Sequence, residues 1–428
     1  MDNPVVLIAC LDVGSTWTKG ALVSAEGELL ATAQHATTPP EVLDGMGEVL
    51  AAMGAHDEVL VCSSAGGGLR LAVVGQERLI SAEAGYRVAL SAGAKVVHVS
   101  AGELDGAGIR ELRAAKPDVI LLVGGTDGGD TKVLLHNASA LARNRLRPPI
   151  VLAGNVKAQA DALDLLRERT VVATENVLPD VGELAPGPAR TAIRDVFLRH
   201  VIGGKGLSRG PRFRGMVSAV TPDAVLTGVS QLAAVQGDDG AVLVIDVGGA
   251  TTDVYSAVST QDDERRAVAL PADRRTVEGD IGMRWSAPGI VQEAAAQRLI
   301  APGELHEEAG YRARTVDFIP LTPADFRIDL KLAGLAAVIA VRRHLTLLEN
   351  RLGPKGAGLI VLSGGVFRHA DDLSAVFDEL RADPVLRPVL RNARVVVDRH
   401  YVLAPAGLLT QADRTEAARR LLVTLGRD

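Results

Sequence analysis

The chain has 428 residues, 47% hydrophobic and 23% charged, a soluble globular composition too long for one core and suited to two or three domains. A formal net charge of −6 argues against a nucleic-acid binder, whose footprint is basic, and 3% aromatic content leaves few stacking platforms for bases or sugars. Two cysteines, Cys10 and Cys62, 52 positions apart, point to a reducing, cytoplasmic setting.

Met1-Asp2-Asn3-Pro4 has no basic stretch, so Val5–Leu11 is expected to be a first strand and not a signal peptide. With Gly20–Ser24 and Leu29–Ala33 it predicts a three-stranded meander, turned at Ala25-Glu26-Gly27. Glu41–Met53 reads as a helix and Glu58–Cys62 as a further strand. Ser63-Ser64-Ala65-Gly66-Gly67-Gly68 then breaks the chain, either where it approaches a cleft or as a plain flexible connector.

A different rhythm follows. Short β-branched runs at Lys95–Val99, Val119–Val123, Ile150–Leu152 and Thr170–Ala173 alternate with helical stretches at Glu77–Ala92, Glu103–Ala115, Lys132–Ala142 and Lys157–Arg169. This alternation predicts a parallel sheet with right-handed crossovers, an α/β unit inserted into the first part of the chain. Its strand ends would line a ligand crevice. The richest of them, Gly124–Asp130, is read first as a tight strand-to-helix turn and second as a binding surface.

Gly203–Gly215 is rich in glycine and arginine and reads as a solvated hinge, in preference to a basic patch of Lys205, Arg209, Arg212 and Arg214 for an acidic partner. Pro222–Gln236 is an expected helix with proline near its first turn. Leu332–Leu352 is a long apolar helix closed by Gly353-Pro354; its apolar run ends at Arg342-Arg343, too short to span a bilayer, so no membrane is expected. Arg394–Val397 is a last strand, followed by helical stretches at Pro405–Gln411 and Arg414–Leu425.

Two loops carry the chemistry. Asp12-Val13-Gly14-Ser15-Thr16-Trp17-Thr18-Lys19 follows Val5–Leu11, and Asp246-Val247-Gly248-Gly249-Ala250-Thr251-Thr252-Asp253 follows Ala241–Ile245. Each reads as buried strand, aspartate, glycine, hydroxyl residues and a second strand. Glycine at φ > 0 leaves backbone N–H groups facing an anion, and the hydroxyls of Ser15, Thr16, Thr18, Thr251 and Thr252 add donors. Lys19 would reach phosphate oxygens as a point charge. Asp12 and Asp246 stand where apolar strands stop, a costly place for a carboxylate unless a metal, water or N–H donors meet it, and an aspartate at a strand end can hold Mg²⁺ through water. Two near-copies 234 positions apart imply duplicated half-domains gripping a nucleotide between them.

Glu278 and Asp280, in Thr276–Gly282, follow the charged and expectedly exposed stretch Asp262–Arg275. At the start of a predicted helix two acids are the wrong sign for direct anion binding; they suit metal-linked water or a ribose hydroxyl, with a capping cluster as the alternative. Leu359–Leu362 is a short strand ending in Ser363-Gly364-Gly365. Cys10 and Cys62 sit inside apolar strands and read as small buried hydrophobes, and the nine histidines lack metal-ligand spacing.

Asp-x-Gly-Ser-x-x-Thr-Lys at 12–19, Asp-x-Gly-Gly-x-Thr-Thr-Asp at 246–253 and the strand with Gly364-Gly365 resemble the phosphate-1, phosphate-2 and adenosine motifs of the actin, heat-shock chaperone and sugar-kinase ATPases. Together with Ser63–Gly67, Leu122–Gly129, Ala153-Gly154-Asn155, Arg275–Arg284 and Leu362–His369, they resemble the glutamate mutase accessory family (MutL or GlmL, unrelated to mismatch repair) nearly end to end. The resemblance implies duplicated ribonuclease-H-like half-domains around a nucleotide cleft: a first half over 1–75, the inserted parallel α/β unit over 76–202, a linker at 203–215 and a second half over 216–428, whose C-terminal helices are free to pack back on the first. It implies ATP and Mg²⁺ as cofactors, Asp12 and Asp246 bracketing the metal and the attacking water, Glu278 and Asp280 in catalytic support, and Gly14, Ser15, Thr16, Thr18, Lys19, Gly248, Gly249, Thr251, Thr252, Asp253, Gly364 and Gly365 around the nucleotide. It implies an ATPase that reactivates an adenosylcobalamin-dependent mutase. The rival readings are a small-molecule kinase on the same cleft and a non-hydrolysing filament or scaffold protein.

Overall fold

Residues 6–64, 69–77, 80–92, 94–197, 199, 211–237, 239–258, 272–348, 352–353 and 355–425 are described in a computed structural model. The first sheet is built from β1 (Leu7–Val13), β2 (Trp17–Ser24), β3 (Leu29–Ala36), β4 (Glu58–Ser63) and β10 (Val217–Val220), in the order β10-β4-β1-β2-β3. The second is built from β11 (Ala241–Val247), β12 (Thr252–Ala257), β13 (Asp273–Glu278), β14 (Ala357–Ser363) and β15 (Arg394–Val397), in the order β15-β14-β11-β12-β13. Position for position the two agree: a central strand with an antiparallel hairpin on one side and two parallel strands on the other. The register agrees too, Asp12 facing Lys19 and Val13 facing Thr18 in the first sheet, Asp246 facing Asp253 and Val247 facing Thr252 in the second.

The continuous apolar runs of β1 and β11 follow from burial on both faces. In β1, Ile8 and Cys10 point to one core while Ala9, Leu11 and Val13 point to another. In β11, Val242 and Val244 join Ile8 and Cys10 in the same central core, and Leu243, Ile245 and Val247 face outward to a third. Alternation along each strand thus makes one shared core between the halves and a separate core behind each. Every such fully buried Ile or Val contributes roughly 1.5–3 kcal/mol.

Two helices fill the shared core, Thr221–Gln236 after β10 and Leu403–Gln411 after β15, the edge strands that correspond in the two sheets. They cross at glycine: a Cβ on Gly228 would strike the Leu403 carbonyl, and one on Gly407 the Ala224 carbonyl. The halves therefore touch backbone to backbone.

The chain leaves the first sheet after β4 and returns to it at β10. Between them lie β5 (Arg70–Gly75), β6 (Lys95–Ala101), β7 (Val119–Leu122), β8 (Ile150–Leu152) and β9 (Val171–Ala173), all parallel, in the order β6-β5-β7-β8-β9. The fold is the doubled ribonuclease-H-like architecture of actin-like ATPases with a parallel α/β unit inserted in the first half. The order inverts at β5, a strand without a separate sequence signal because its apolar run is short and follows the glycines. Residues 65–68 of that glycine stretch lie outside the described residues.

Several expectations change. Most of the expected linker at 203–215 lies outside the described residues; its end is the helical turn Arg212–Met216 with Phe213 buried, leading into β10 of the first sheet. Of the stretch read as exposed, 262–271 is outside the described residues, and Asp273-Arg274-Arg275 opens β13 with both arginines buried. Ion pairing permits this, as Arg275 meets Asp253 and Asp273 meets Arg190. Glu278 and Asp280 are at a strand end and its turn, not a helix start; the next helix is Ala287–Ala296. The long helix runs Pro323–Leu347, begun by a Thr322/Asp325 capping box that moves its start well before Leu332. Among the described residues no helix is long and apolar enough to cross a membrane.

Candidate active site

The two loops share a backbone device. The Gly14 N–H donates to the Trp17 carbonyl at 3.0 Å, and the Gly248 N–H donates to the Thr251 carbonyl at 2.9 Å. A Cβ would approach those same carbonyls to 2.7 Å at Gly14 and 3.0 Å at Gly248. Closeness of the turn, and not the positive φ expected from sequence, is what demands glycine at both places.

The loops converge. Asp12 and Lys19 from the first and Asp246 from the second line one cavity, together with Cys10, Thr221, Ser363, Asp398 and Tyr401. Asp12 Oδ1 accepts a 2.5 Å hydrogen bond from Thr221 Oγ1 and lies 3.7 Å from the Cys62 thiol, which donates to it. Burial pushes the Asp246 carboxyl up to about 6; Lys19 and a hydrogen bond from Ser363 oppose the shift, while Asp253 and Asp12 add to it. Burial works against the charge on Lys19, but Tyr401, Asp12 and Asp246 outweigh it and hold the ammonium above its ordinary value. The cavity thus sets one lysine between two strand-end aspartates, one from each half.

The remaining loop residues divide. Ser15 and Thr16 are exposed at the first turn. Thr18 is fully buried and braces the loop through Thr37, whose hydroxyl donates to the Gly14 carbonyl at 2.8 Å. In the second loop, Asp253 Oδ1 accepts from Arg275 Nε at 2.9 Å and Nη2 at 2.5 Å, and its Oδ2 accepts from Thr251 Oγ1 at 3.1 Å. Asp253 and Thr251 are therefore already engaged with each other. Thr252 is fully buried, and its hydroxyl has no hydrogen-bond partner among the described residues. Gly248 and Gly249 are backed by the following segment, with Met283 N–H donating to the Gly248 carbonyl and Arg284 N–H to that of Gly249. Gly364, at φ 114°, packs where any Cβ would strike the Val247 carbonyl, which seats the Gly364-Gly365 turn against the second loop; Gly365 is open.

Glu278 and Asp280 are not among the residues lining the cavity. Arg343 of the long helix holds both, Nη1 to Glu278 Oε2 at 2.7 Å and Nη2 to Asp280 Oδ2 at 3.0 Å. Burial raises the Glu278 carboxyl against Arg343, whereas at the more exposed Asp280 the arginine outweighs burial and lowers it. The turn between them, at Gly279, rests against Lys95 of β6 in the inserted unit.

Thr221, Ser363, Asp398 and Tyr401 were not singled out in the sequence as side chains of the site. Thr221-Pro222 at a strand-to-helix junction and Ser363 ahead of paired glycines carried a usable signal. Asp398 and Tyr401 carried none, since only the packing of β15 beside β14 brings them in.

The carboxylates fit a divalent cation: two strand-end aspartates face one cavity, and Asp12 adds to the cost that burial sets on ionising Asp246, so added positive charge there is favoured. Among the described residues, no cluster of three or more His, Cys, Asp or Glu forms a preassembled metal site. Mg²⁺ is suited to such a sparse donor set, since it keeps waters and shares phosphate oxygens.

Comparison with known proteins gives the family. A family model described as MutL protein matches residues 8–424. Protein MutL of Clostridium tetanomorphum is 33% identical over 455 aligned positions, covering 96% of this chain and 97% of that protein. Solved structures with a looser likeness include nucleotide-free acetone carboxylase (TM-score 0.43, 14% identity, 94% of this chain and 70% of that one). Another is xylulose kinase from Rhodospirillum rubrum (TM-score 0.36, 14% identity, 96% and 92%). A family-model match over nearly the whole length and a full-length relative at this identity establish that the chain belongs to the MutL family.

Proposed function

We propose that this protein binds and hydrolyses ATP and acts as a reactivating accessory chaperone for an adenosylcobalamin-dependent mutase of the glutamate mutase type. The observation that carries the nucleotide part is the convergence of Asp12, Lys19 and Asp246, from two duplicated loops, on one cavity. Membership of the MutL family, together with the motif resemblance to the glutamate mutase accessory proteins, supports the partner class.

In this reading Lys19 meets the terminal phosphate oxygens as a point charge, and the N–H groups of the two glycine turns line the phosphate path. Asp12, fixed by Thr221, and Asp246, fixed by Ser363, hold the waters that must be oriented. With a carboxyl near 6, Asp246 is suited to take a proton from an attacking water at its Oδ atoms. Bound Mg²⁺ supplies charge neutralisation on the phosphates. Loss of the terminal phosphate removes the tie between the two loops, and the halves part about the glycine crossing of the core helices.

The test is phosphate release by the purified chain with and without a cobalamin mutase. Asp12→Asn and Asp246→Asn should each lower turnover by about a hundredfold while the protein stays folded. Unchanged turnover in either variant removes that aspartate from the mechanism. Stimulation by the mutase supports the chaperone role; a phosphorylated small molecule among the products replaces it with a kinase.

A further inference from the structure

Tyr401 lies in the cavity wall with two cations against its ring. The Lys19 ammonium stands 3.9 Å from its ring centroid, and the Arg368 guanidinium carbon stands 4.4 Å from it. Arg368 continues outward, its Nη1 donating to Gln34 Oε1 at 3.3 Å. Lys19 and Gln34 are direct partners across β2 and β3 of the first half. Tyr401 and Arg368 belong to the second half and are tied together there, since Arg399 Nη1 donates to the Arg368 carbonyl at 2.8 Å. The four residues close a ring that crosses the cleft twice.

The ring is held in place at a cost. Tyr401 has φ 54°, in the left-handed region that a bulky residue enters only when its surroundings insist. Asp398, which caps the following helix by accepting from the Val402 N–H at 2.9 Å, fixes the loop that presents it. Two cation–π contacts on one ring, partly out of water, each bias an equilibrium by roughly threefold to thirtyfold.

We propose that Lys19, Tyr401, Arg368 and Gln34 form a clasp across the cleft, and that a nucleoside triphosphate releases the clasp by taking Lys19 from the ring, its own tie between the two loops then holding the halves. This rests on the reading of the cavity as an ATP site. The ammonium that faces the ring is the charge the terminal phosphate needs, and a triphosphate's charge outcompetes the quadrupole of a phenol ring. Once Lys19 leaves, Tyr401 keeps Arg368, and the clasp's own tie to the first half is reduced to the exposed contact with Gln34. The clasp lowers apparent nucleotide affinity by the fraction of molecules it keeps closed.

Hydrogen exchange on the full, nucleotide-free chain tests the clasp without any ligand. Tyr401→Leu should speed exchange about tenfold in edge strand β3 and in the 364–370 segment, while Tyr401→Phe, which keeps the ring, stays within about twofold of wild type. Equal exchange in wild type and Tyr401→Leu overturns the proposal, as does equal acceleration in the Leu and Phe variants. If Tyr401→Leu does not fold, Arg368→Gln, which removes the Tyr401 and Gln34 contacts of the guanidinium and leaves that of Lys19, carries the same expectation. In stopped flow, a fluorescent ATP analogue should associate about tenfold faster with Tyr401→Leu than with Tyr401→Phe; no acceleration overturns the release step. A wild-type protein that takes up no nucleotide would end the ATPase reading instead, and the exchange comparison would still decide the clasp.

Discussion

Lys19 and Asp253 occupy the same place in the two halves, each directly across a hairpin from its strand-end aspartate. One is a cation facing the cavity; the other is an anion matched to a buried arginine. The neighbours on the parallel side differ as well, Cys62 beside Asp12 and Ser363 beside Asp246. What the halves share is backbone: the turn, the glycine under it and the register. Those features answer to steric limits that hold in both halves, whereas the side chains are free to diverge. The divergence leaves an asymmetric cleft, with a positive charge facing the cavity on the first half and an already neutralised charge pair on the second.

The largest effect should come from breaking that neutralised pair. Arg275→Met leaves Asp253 buried without its cation and should destabilise the fold by about 3–5 kcal/mol, with Asp253→Asn added on top recovering much of the loss. Lys19→Met, the matching change in the first half, removes a cation that faces a cavity and should cost less than about 2 kcal/mol. Denaturation midpoints of the three variants decide it. Equal losses from Arg275→Met and Lys19→Met would erase the asymmetry.

Asp253 also shows where the sequence stops being readable. The motif locates it, and the duplicated pattern of strand, aspartate, glycine and hydroxyl gives the fold, because these features are local in the chain. Its engagement with Arg275 is not local. Asp273-Arg274-Arg275 looks like a solvated run until β13 pairs with β12 and buries it. Glu278 and Asp280 stand outside the cavity lining for a similar reason, as Arg343 reaches them from a helix more than sixty positions away. Thr221 and Tyr401 enter the site only through β10 and β15, the outermost parallel strands of each half, whose pairing partners lie far off in the chain. The legible part of the site is the part made by one loop at a time.

Asp246 gives the next effect in size. Burial raises its carboxyl from 3.8 to about 6, so the folded state binds this proton more tightly than the unfolded chain does. The penalty for ionising it is absent below the unfolded value, grows as pH rises, and is complete above the folded value. Asp246→Asn never ionises and should therefore be more stable than wild type at pH 8 by up to about 3 kcal/mol, with the gap closing toward pH 4. Thermal melts across that range check the sign. A gap independent of pH would show that the carboxyl is not held in a desolvated place, while the same variant's lost turnover would still stand as a separate result.

The smallest effect separates the two aspartates by their neighbours. Ser363 donates to Asp246 and lowers its carboxyl against the effect of burial. Ser363→Cys supplies the weaker thiol donor that the first half uses, so the Asp246→Asn gap should grow slightly and the pH at which it levels off should move upward by a fraction of a unit. The converse change, Cys62→Ser, gives Asp12 a stronger donor in place of a thiol whose own ionisation burial pushes far above its usual range. Its effect on stability should stay below about 1 kcal/mol, since Thr221 already bonds the same carboxylate oxygen at 2.5 Å. If Ser363→Cys leaves the Asp246 transition where it was while Cys62→Ser moves it, the coupling runs through the cavity between the aspartates and not through each half's own parallel strand.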